Sequence, residues 1–236
     1  MYGAELAEVY ELIYRSRGKD WAQEARFVTD LIRSRCPDAD SLLDVACGTG
    51  AHLSALAGMF KVAEGLEPAP AMRKLAAERL PAAALHDGDM RRFRLGTRYS
   101  AVTCMFCAIA YLGTVEDLRD AVRSMAGHLL PGGVLVIEPW WFPEDFIDGY
   151  VAGDLATEDG RTVTRISHST LRGRATHMEV RYMVGDAMGI REFTEHDVLT
   201  LFTKEEYLSA FEDAGCPAEF LPGPPTGRGI FVGVMS

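Results

Sequence analysis

Positive charge is in short supply in this sequence. Its 24 Lys and Arg stand against 34 Asp and Glu, a formal net charge of −10. Such a field repels phosphate polymers, so general nucleic-acid binding is not expected. No apolar run approaches the ~20 residues of a membrane-spanning helix, so no membrane association is expected. The acidic opening Met1-Tyr2-Gly3-Ala4-Glu5 lacks the basic-then-apolar order of an export signal, and the expected location is the cytoplasm. Cysteine is sparse and odd in number, five in 236 residues, which suits a reducing compartment. Cys104-Met-Phe-Cys107 has the C-x-x-C spacing. It lies in an apolar run, with no second pair for zinc and no Gly or Pro between the sulfurs, so neither redox nor metal chemistry is expected. What is present is an ordinary globular composition, 48% hydrophobic and 25% charged, sized for one core with room for an insertion.

Apolar spacing of three and four predicts helices over 5–14 and 20–35, broken at Gly18. Strands are expected at 41–46, 61–67, 83–89, 99–106 and 134–138. Helices are expected between them at 52–60, at 70–80 with Pro70 at the start, and at 115–130, ending at Pro131-Gly132-Gly133. This repeated strand–helix alternation predicts an α/β fold: a doubly wound, mostly parallel, seven-stranded sheet with helices on both faces. The pattern changes after the fifth strand. Residues 161–167, 176–184 and 191–202 alternate apolar and polar, as antiparallel strands do. A helix over 203–214 opens with Thr203 and Glu206, a capping-box spacing, and strands at 218–221 and 229–235 close the chain. The expected organisation is one domain from 1–144 and 201–236, with 145–200 as an antiparallel β insertion that forms part of an acceptor site.

Asp44-Val-Ala-Cys-Gly48-Thr-Gly50 carries the most chemical information. Gly48 and Gly50 let backbone approach a ligand where the first strand meets its helix, at the crevice of an open sheet. A dinucleotide fingerprint needs a further glycine at position 53, which is Leu53, and a P-loop needs Gly-Lys-Ser/Thr, which is absent. Glu67 ends the second apolar segment, where a carboxylate can accept both ribose hydroxyls. Asp89 ends the third, where it can accept from an adenine amino group while Met90, next along, covers the ring.

These residues resemble the class I S-adenosylmethionine-dependent methyltransferases, whose first motif is an acidic-x-Gly-x-Gly loop, over residues ~40–140. A narrower resemblance rests on Gly18-Lys-Asp20, Leu42-Leu-Asp-Val-Ala-Cys-Gly-Thr-Gly50, Val102-Thr-Cys-Met-Phe106, Pro139-Trp-Trp-Phe-Pro through Gly153, and Gly227-Arg-Gly-Ile-Phe-Val-Gly233. Together these are similar to the N,N-dimethyltransferases of TDP-linked amino sugars in macrolide antibiotic pathways. That resemblance implies S-adenosyl-L-methionine as cofactor and a TDP-3-amino-3,6-dideoxyhexose as acceptor, with Arg228 as the diphosphate contact and Arg17 or Arg15 meeting the methionine carboxylate. A 4-amino sugar, or a small hydroxylated molecule in an O-methyltransferase, are the alternatives on the same fold. A homo-oligomer is compatible with either.

Candidate cofactor contacts are therefore Tyr14, Arg17, Ala46, Gly48, Gly50, Glu67, Asp89, Met90 and Met105. Candidate acceptor contacts are Trp141, Tyr150, Arg165, Ser167 and Arg228: aromatic faces for a thymine and local cations for a pyrophosphate. Arg172 and Arg174 read as a solvated hairpin turn. His168, His177 and His196 read as packed or surface side chains. One stretch departs from the family pattern: Ser-Ser-Ile-Gly-His after the fourth strand is here Cys107-Ala108-Ile109-Ala110-Tyr111. Tyr111 replaces the imidazole near the amine. Methyl transfer to an amine needs a neutral nitrogen held in line rather than a strong base, so Tyr14 and Tyr111 are expected to position rather than deprotonate.

Overall fold

The computed structural model describes residues 4–223 and 225–236; Met1 to Gly3, part of the acidic opening, lie outside the described residues. Two helices lead in, α1 (Ala4–Ser16) and α2 (Trp21–Arg33). The α/β core follows as β1 (Ser41–Val45), α3 (Ala51–Ala57), β2 (Val62–Leu66), α4 (Pro70–Arg79), β3 (Leu85–His86), β4 (Tyr99–Cys104), a 3-10 turn at Ala108–Tyr111, α5 (Val115–Ala126) and β5 (Leu129–Ile137). Four long strands come next: β6 (Tyr150–Glu158), β7 (Arg161–Arg172), β8 (Ala175–Asp186) and β9 (Gly189–Thr200). The chain closes with α6 (Lys204–Asp213), β10 (Ala218–Leu221) and β11 (Ile230–Val234).

The seven-stranded sheet has the order β10-β11-β5-β4-β1-β2-β3, and β11 runs against its neighbours. Every residue of β4 is buried, as expected of a central strand covered on both faces. The order turns between β1 and β4, which places the crevice at the carboxyl ends of these strands. Strands β6 to β9 form a separate antiparallel sheet. Its inward side packs Ala156, Val163, Val180, Tyr182 and Val184 onto Leu6, Val9 and Ile13 of α1. So α1 is the element that ties the second sheet to the rest. Among the described residues, no helix is long and apolar enough to cross a membrane.

Three expectations need correction. The third strand is two residues long, not seven; the chain turns away after His86, and the Asp87-Gly88 step carries Asp89 off the sheet. The helix expected to reach residue 130 stops at Gly127, and β5 already runs through Pro131-Gly132-Gly133. There Gly132 donates to Met235 O (2.9 Å) and Met235 donates to Gly133 O (2.8 Å), so the chain's last residues complete this end of the sheet. Finally, β6 was not anticipated as a strand. It pairs with β7 through Asp159-Gly160, both at positive φ (50° and 75°), the backbone of a tight hairpin turn.

Candidate active site

The loop after β1 has three residues in left-handed conformation: Ala46 (φ 58°), Gly48 (φ 57°) and Gly50 (φ 76°). The two glycines serve different ends. A Cβ on Gly48 would meet nothing within 4 Å, so that backbone faces open space. A Cβ on Gly50 would sit 3.1 Å from Cβ of Ala76, so that glycine lets α4 pack against the start of α3. The Gly48 N–H donates to Glu67 Oε2 (3.0 Å) and the Ala69 N–H donates to Oε1 (2.8 Å). Burial pushes the Glu67 carboxyl above its ordinary pKa, and these two donors pull it back. Asp44, deeper in the crevice, accepts from Thr103 Oγ1 (2.8 Å); burial raises its pKa to about 6.

Beside this loop lies a cavity of about 590 Å³, within the range of small-ligand sites. Asp44, Gly48 and Glu67 line one part, the side chains of Met72, Met90, Met105 and Phe106 give it apolar walls, and Tyr111 and Asp197 line the side toward the second sheet. Of the residues expected from sequence, Ala46, Gly48, Glu67, Met90, Met105 and Tyr111 line the cavity; Tyr14, Arg17, Gly50 and Asp89 do not. Asp89 is turned onto Arg91, whose backbone N–H and guanidinium both donate to it, and this contact lowers its pKa. Arg17 pairs with Asp154 on β6 (3.4 Å), and Arg15 with Glu158 and Glu11. Tyr14 is half-buried, edge-on against the Phe106 ring (4.8 Å) and beside Tyr10 (4.7 Å); desolvation of the hydroxyl raises its pKa.

The acceptor candidates form two groups. Arg165 is buried in β7; its Nη1 donates to Ser167 Oγ (3.0 Å) and reaches Asp154 (3.4 Å), while its Nε lacks a partner. Tyr150 lies half-exposed at the start of β6. The second group is Arg228, whose guanidinium lies 5.1 Å from the Trp140 ring and 5.6 Å from Trp141 and donates to Glu138 (3.2 Å). Glu138, fully buried at the end of β5, also accepts the Phe106 N–H (2.7 Å) and the Thr226 hydroxyl. Phe106 and Cys107 both hold positive φ (53° and 64°), so Glu138 fixes a strained turn at the cavity wall. Arg165 and Arg228 both act electrostatically on Tyr14, which is their common neighbour.

Sequence reasoning missed a buried cluster. Lys19 Nζ donates to Glu24 Oε2 (2.6 Å), His52 Nε2 lies 2.7 Å from the same oxygen, and Lys19 sits 3.7 Å above the Phe106 ring. Burial opposes the Glu24 charge, but the contacts to His52 and Lys19 win and hold its pKa low. His52 lines the cavity, so this cluster, rather than Arg15 or Arg17, stands beside it. Lys19 and Glu24 flank the start of α2, and His52 comes from α3, so no local spacing announces the meeting of all three. All five cysteines are free; burial pushes the Cys107 thiol up to about 12, which makes it inert.

Comparison with known proteins matches this geometry to a family. A methyltransferase domain model matches residues 42–133. The dTDP-3-amino-3,4,6-trideoxy-alpha-D-glucopyranose N,N-dimethyltransferase of Streptomyces venezuelae is 54% identical, over 99% of each chain. The chain belongs to the dTDP-amino-sugar N,N-dimethyltransferase family. A second member of this family, the dTDP-4-amino-2,3,4,6-tetradeoxy-D-glucose N,N-dimethyltransferase of Saccharopolyspora spinosa, is 52% identical over 100% of this methyltransferase and 95% of its own length. The S-adenosylmethionine-bound structure of CalS10, an amino pentose methyltransferase of Micromonospora echinaspora, superposes with a TM-score of 0.91 at 59% identity, covering 97% of each chain.

Proposed function

We propose that this methyltransferase binds S-adenosyl-L-methionine beside Gly48 and N,N-dimethylates the amine of a TDP-3-amino-3,6-dideoxyhexose, in the cytoplasm, during antibiotic deoxysugar biosynthesis. The observation that carries the reading is the meeting, across one cavity, of the Gly48–Glu67 cradle and the Glu195–Asp197 stretch of β9. The cofactor fits the residues present. Gly48 leaves the space a Cβ would fill, Glu67 is a buried acceptor pair for ribose hydroxyls, and Met90 and Met105 offer apolar faces to an adenine ring. His52 would stand toward the charged amino-acid end, backed by Glu24 and Lys19. Of the remaining expected contacts, Tyr14 and Arg17 would act from α1 and its C-terminal turn, and Asp89 through the orientation of Met90 and Arg91.

When bound, the cofactor supplies a methyl group on a positively charged sulfur, ready for in-line displacement. The chain's task is to hold a neutral amine in line and to exclude water. Phe106, fixed by Glu138 and packed between Tyr14 and Lys19, is a rigid apolar wall for that purpose. With its O–H donated to Asp197, Tyr111 can accept one hydrogen bond from the amine, which orients the nitrogen. On the acceptor side, Trp141 and Tyr150 offer faces to a thymine, and Arg228, Arg165 and Ser167 offer donors to a diphosphate and sugar.

Relatives acting on 3-amino and on 4-amino sugars stand at almost equal identity, so a 4-amino acceptor is the second reading. Calorimetric titration of TDP, UDP and both TDP-amino sugars, with S-adenosylhomocysteine present, tests the proposal. TDP binding above UDP, with mass spectrometry showing two methyl groups added to the 3-amino sugar, is the expected outcome. A product that stops at one methyl removes the dimethyl assignment, and turnover confined to hydroxylated aromatics removes the sugar.

A further inference from the structure

The inward face of the second sheet gains polar side chains along its length, on β7 and β9 above all. Cross-strand pairing runs Arg191–Val184–Val163–Ala156 in one row, a largely apolar row that packs on α1. Three rows further along, the partners are Asp197–Met178–Ser169–Tyr150, and the row between them and Arg165 carries Glu195 and Ser167. Val180 and Met178 of these rows belong to the apolar cluster on α1, whereas the β9 edge, Glu195 to Asp197, lines the same cavity as Gly48 and Glu67. Asp197 accepts from the Tyr111 hydroxyl (2.8 Å) across the gap between sheet and core. Arg165, a buried cation of this face, donates to Ser167 and reaches Asp154, and its charge also favours the ionised form of Asp197 without a hydrogen bond to it. A carboxylate in the middle of a strand, facing a cavity, is costly to desolvate and adds nothing to the packing that holds the sheet on α1.

We propose that Asp197, oriented by Tyr111, is the residue that recognises the acceptor's amine, holding it as an ammonium ion against the cavity. The proposal rests on the amino-sugar reading above. The ammonium is the one cationic group of an otherwise anionic TDP-sugar, and a half-buried carboxylate is its complement. The same group can prepare the nucleophile. One N–H bond breaks, its electron pair stays on nitrogen as the lone pair, and the proton moves to a carboxylate oxygen of Asp197, which becomes neutral. Burial raises the Asp197 pKa even against the Tyr111 hydrogen bond, which favours that uptake.

Two ligands decide the matter: a TDP-amino sugar and the same TDP sugar with a hydroxyl in place of the amine. Each is titrated with S-adenosylhomocysteine present. The wild type is expected to bind the amine about 30-fold more tightly, and Asp197→Asn to bind the two within about 3-fold, with the hydroxyl sugar unaffected. A preference for the amine that survives in Asp197→Asn, with S-adenosylhomocysteine still bound, overturns the proposal and leaves Asp197 as a prop for the Tyr111 turn. Equal binding of both sugars by the wild type overturns it too, while leaving the acceptor class intact. Binding of neither sugar by the wild type defeats the acceptor reading itself, and this proposal with it. Should Asp197→Asn lose S-adenosylhomocysteine, Asp197→Ser is measured in its place against the same outcomes.

Discussion

Glu67 and Asp89 look alike in the sequence, an acid following a strand, and the structure treats them differently. Glu67 is buried with both oxygens on backbone N–H groups of the Gly48 loop and α4, so its side chain cannot turn away. Asp89 is half-exposed and clamped by Arg91, beyond a strand that ended at His86. Glu67→Ala is therefore expected to weaken S-adenosylhomocysteine binding about 10- to 100-fold by calorimetry, the range of a hydrogen bond to a charged group. Asp89→Ala should cost clearly less in the same measurement. The Tyr111 hydroxyl is already given to Asp197, which suits an orienting group better than a base. Tyr111→Phe should lower kcat by less than ~100-fold; near-total loss with acceptor binding intact would establish obligate proton transfer through the phenol.

At the scale of elements, the first βα turn divides its work between two glycines. Gly50→Ala meets both a left-handed backbone and Ala76 at 3.1 Å. It should destabilise the fold by about 1–2 kcal/mol or more, seen in denaturant unfolding without ligand. Gly48→Ala has the same backbone strain but no steric contact. Its excess effect should appear as lost S-adenosylhomocysteine affinity, because the added methyl occupies the cavity. The sequence made α6 plain, since Thr203 and Glu206 form the expected reciprocal capping box. It also contained the signal for β6. Asp159-Gly160 between alternating segments is a hairpin turn, but the aromatic cluster just upstream drew the segment toward ligand contacts. Pro131-Gly132-Gly133 misled in the opposite sense. Turn residues usually end a helix, yet here they lie in β5, at a place where β4 pairs irregularly and the chain's end supplies the missing partner.

Taken as a whole, the molecule carries a built-in acid dependence at its centre. Asp44 titrates near its ordinary 3.8 in the unfolded chain and near 6 when folded, because burial disfavours its charge. Between those pH values the folded chain keeps a proton that the unfolded chain has shed. This residue's contribution to stability therefore falls as pH rises from about 4 to about 6, and is constant above that. Its full size is on the order of 3 kcal/mol. Asp44→Asn should gain on the wild type across that window in ligand-free thermal unfolding and run parallel to it outside. A constant difference from pH 4 to pH 7 would remove the assignment.

The sequence alone determined the layered α/β core, because strand and helix periods alternate and each period is a local property of the chain. It also determined the Gly48 loop and Glu67, because these sit at strand ends, which the local pattern marks. Only the tertiary structure decided which cations and acids meet. His52 meets Lys19 and Glu24 through the packing of α2 on α3, and Tyr111 meets Asp197 through the seating of the second sheet beside the first. Strand register shows which side of β9 bears Asp197, but not what that side faces. That is settled by apolar packing on α1, which holds the sheet so that only its β9 edge reaches the cavity.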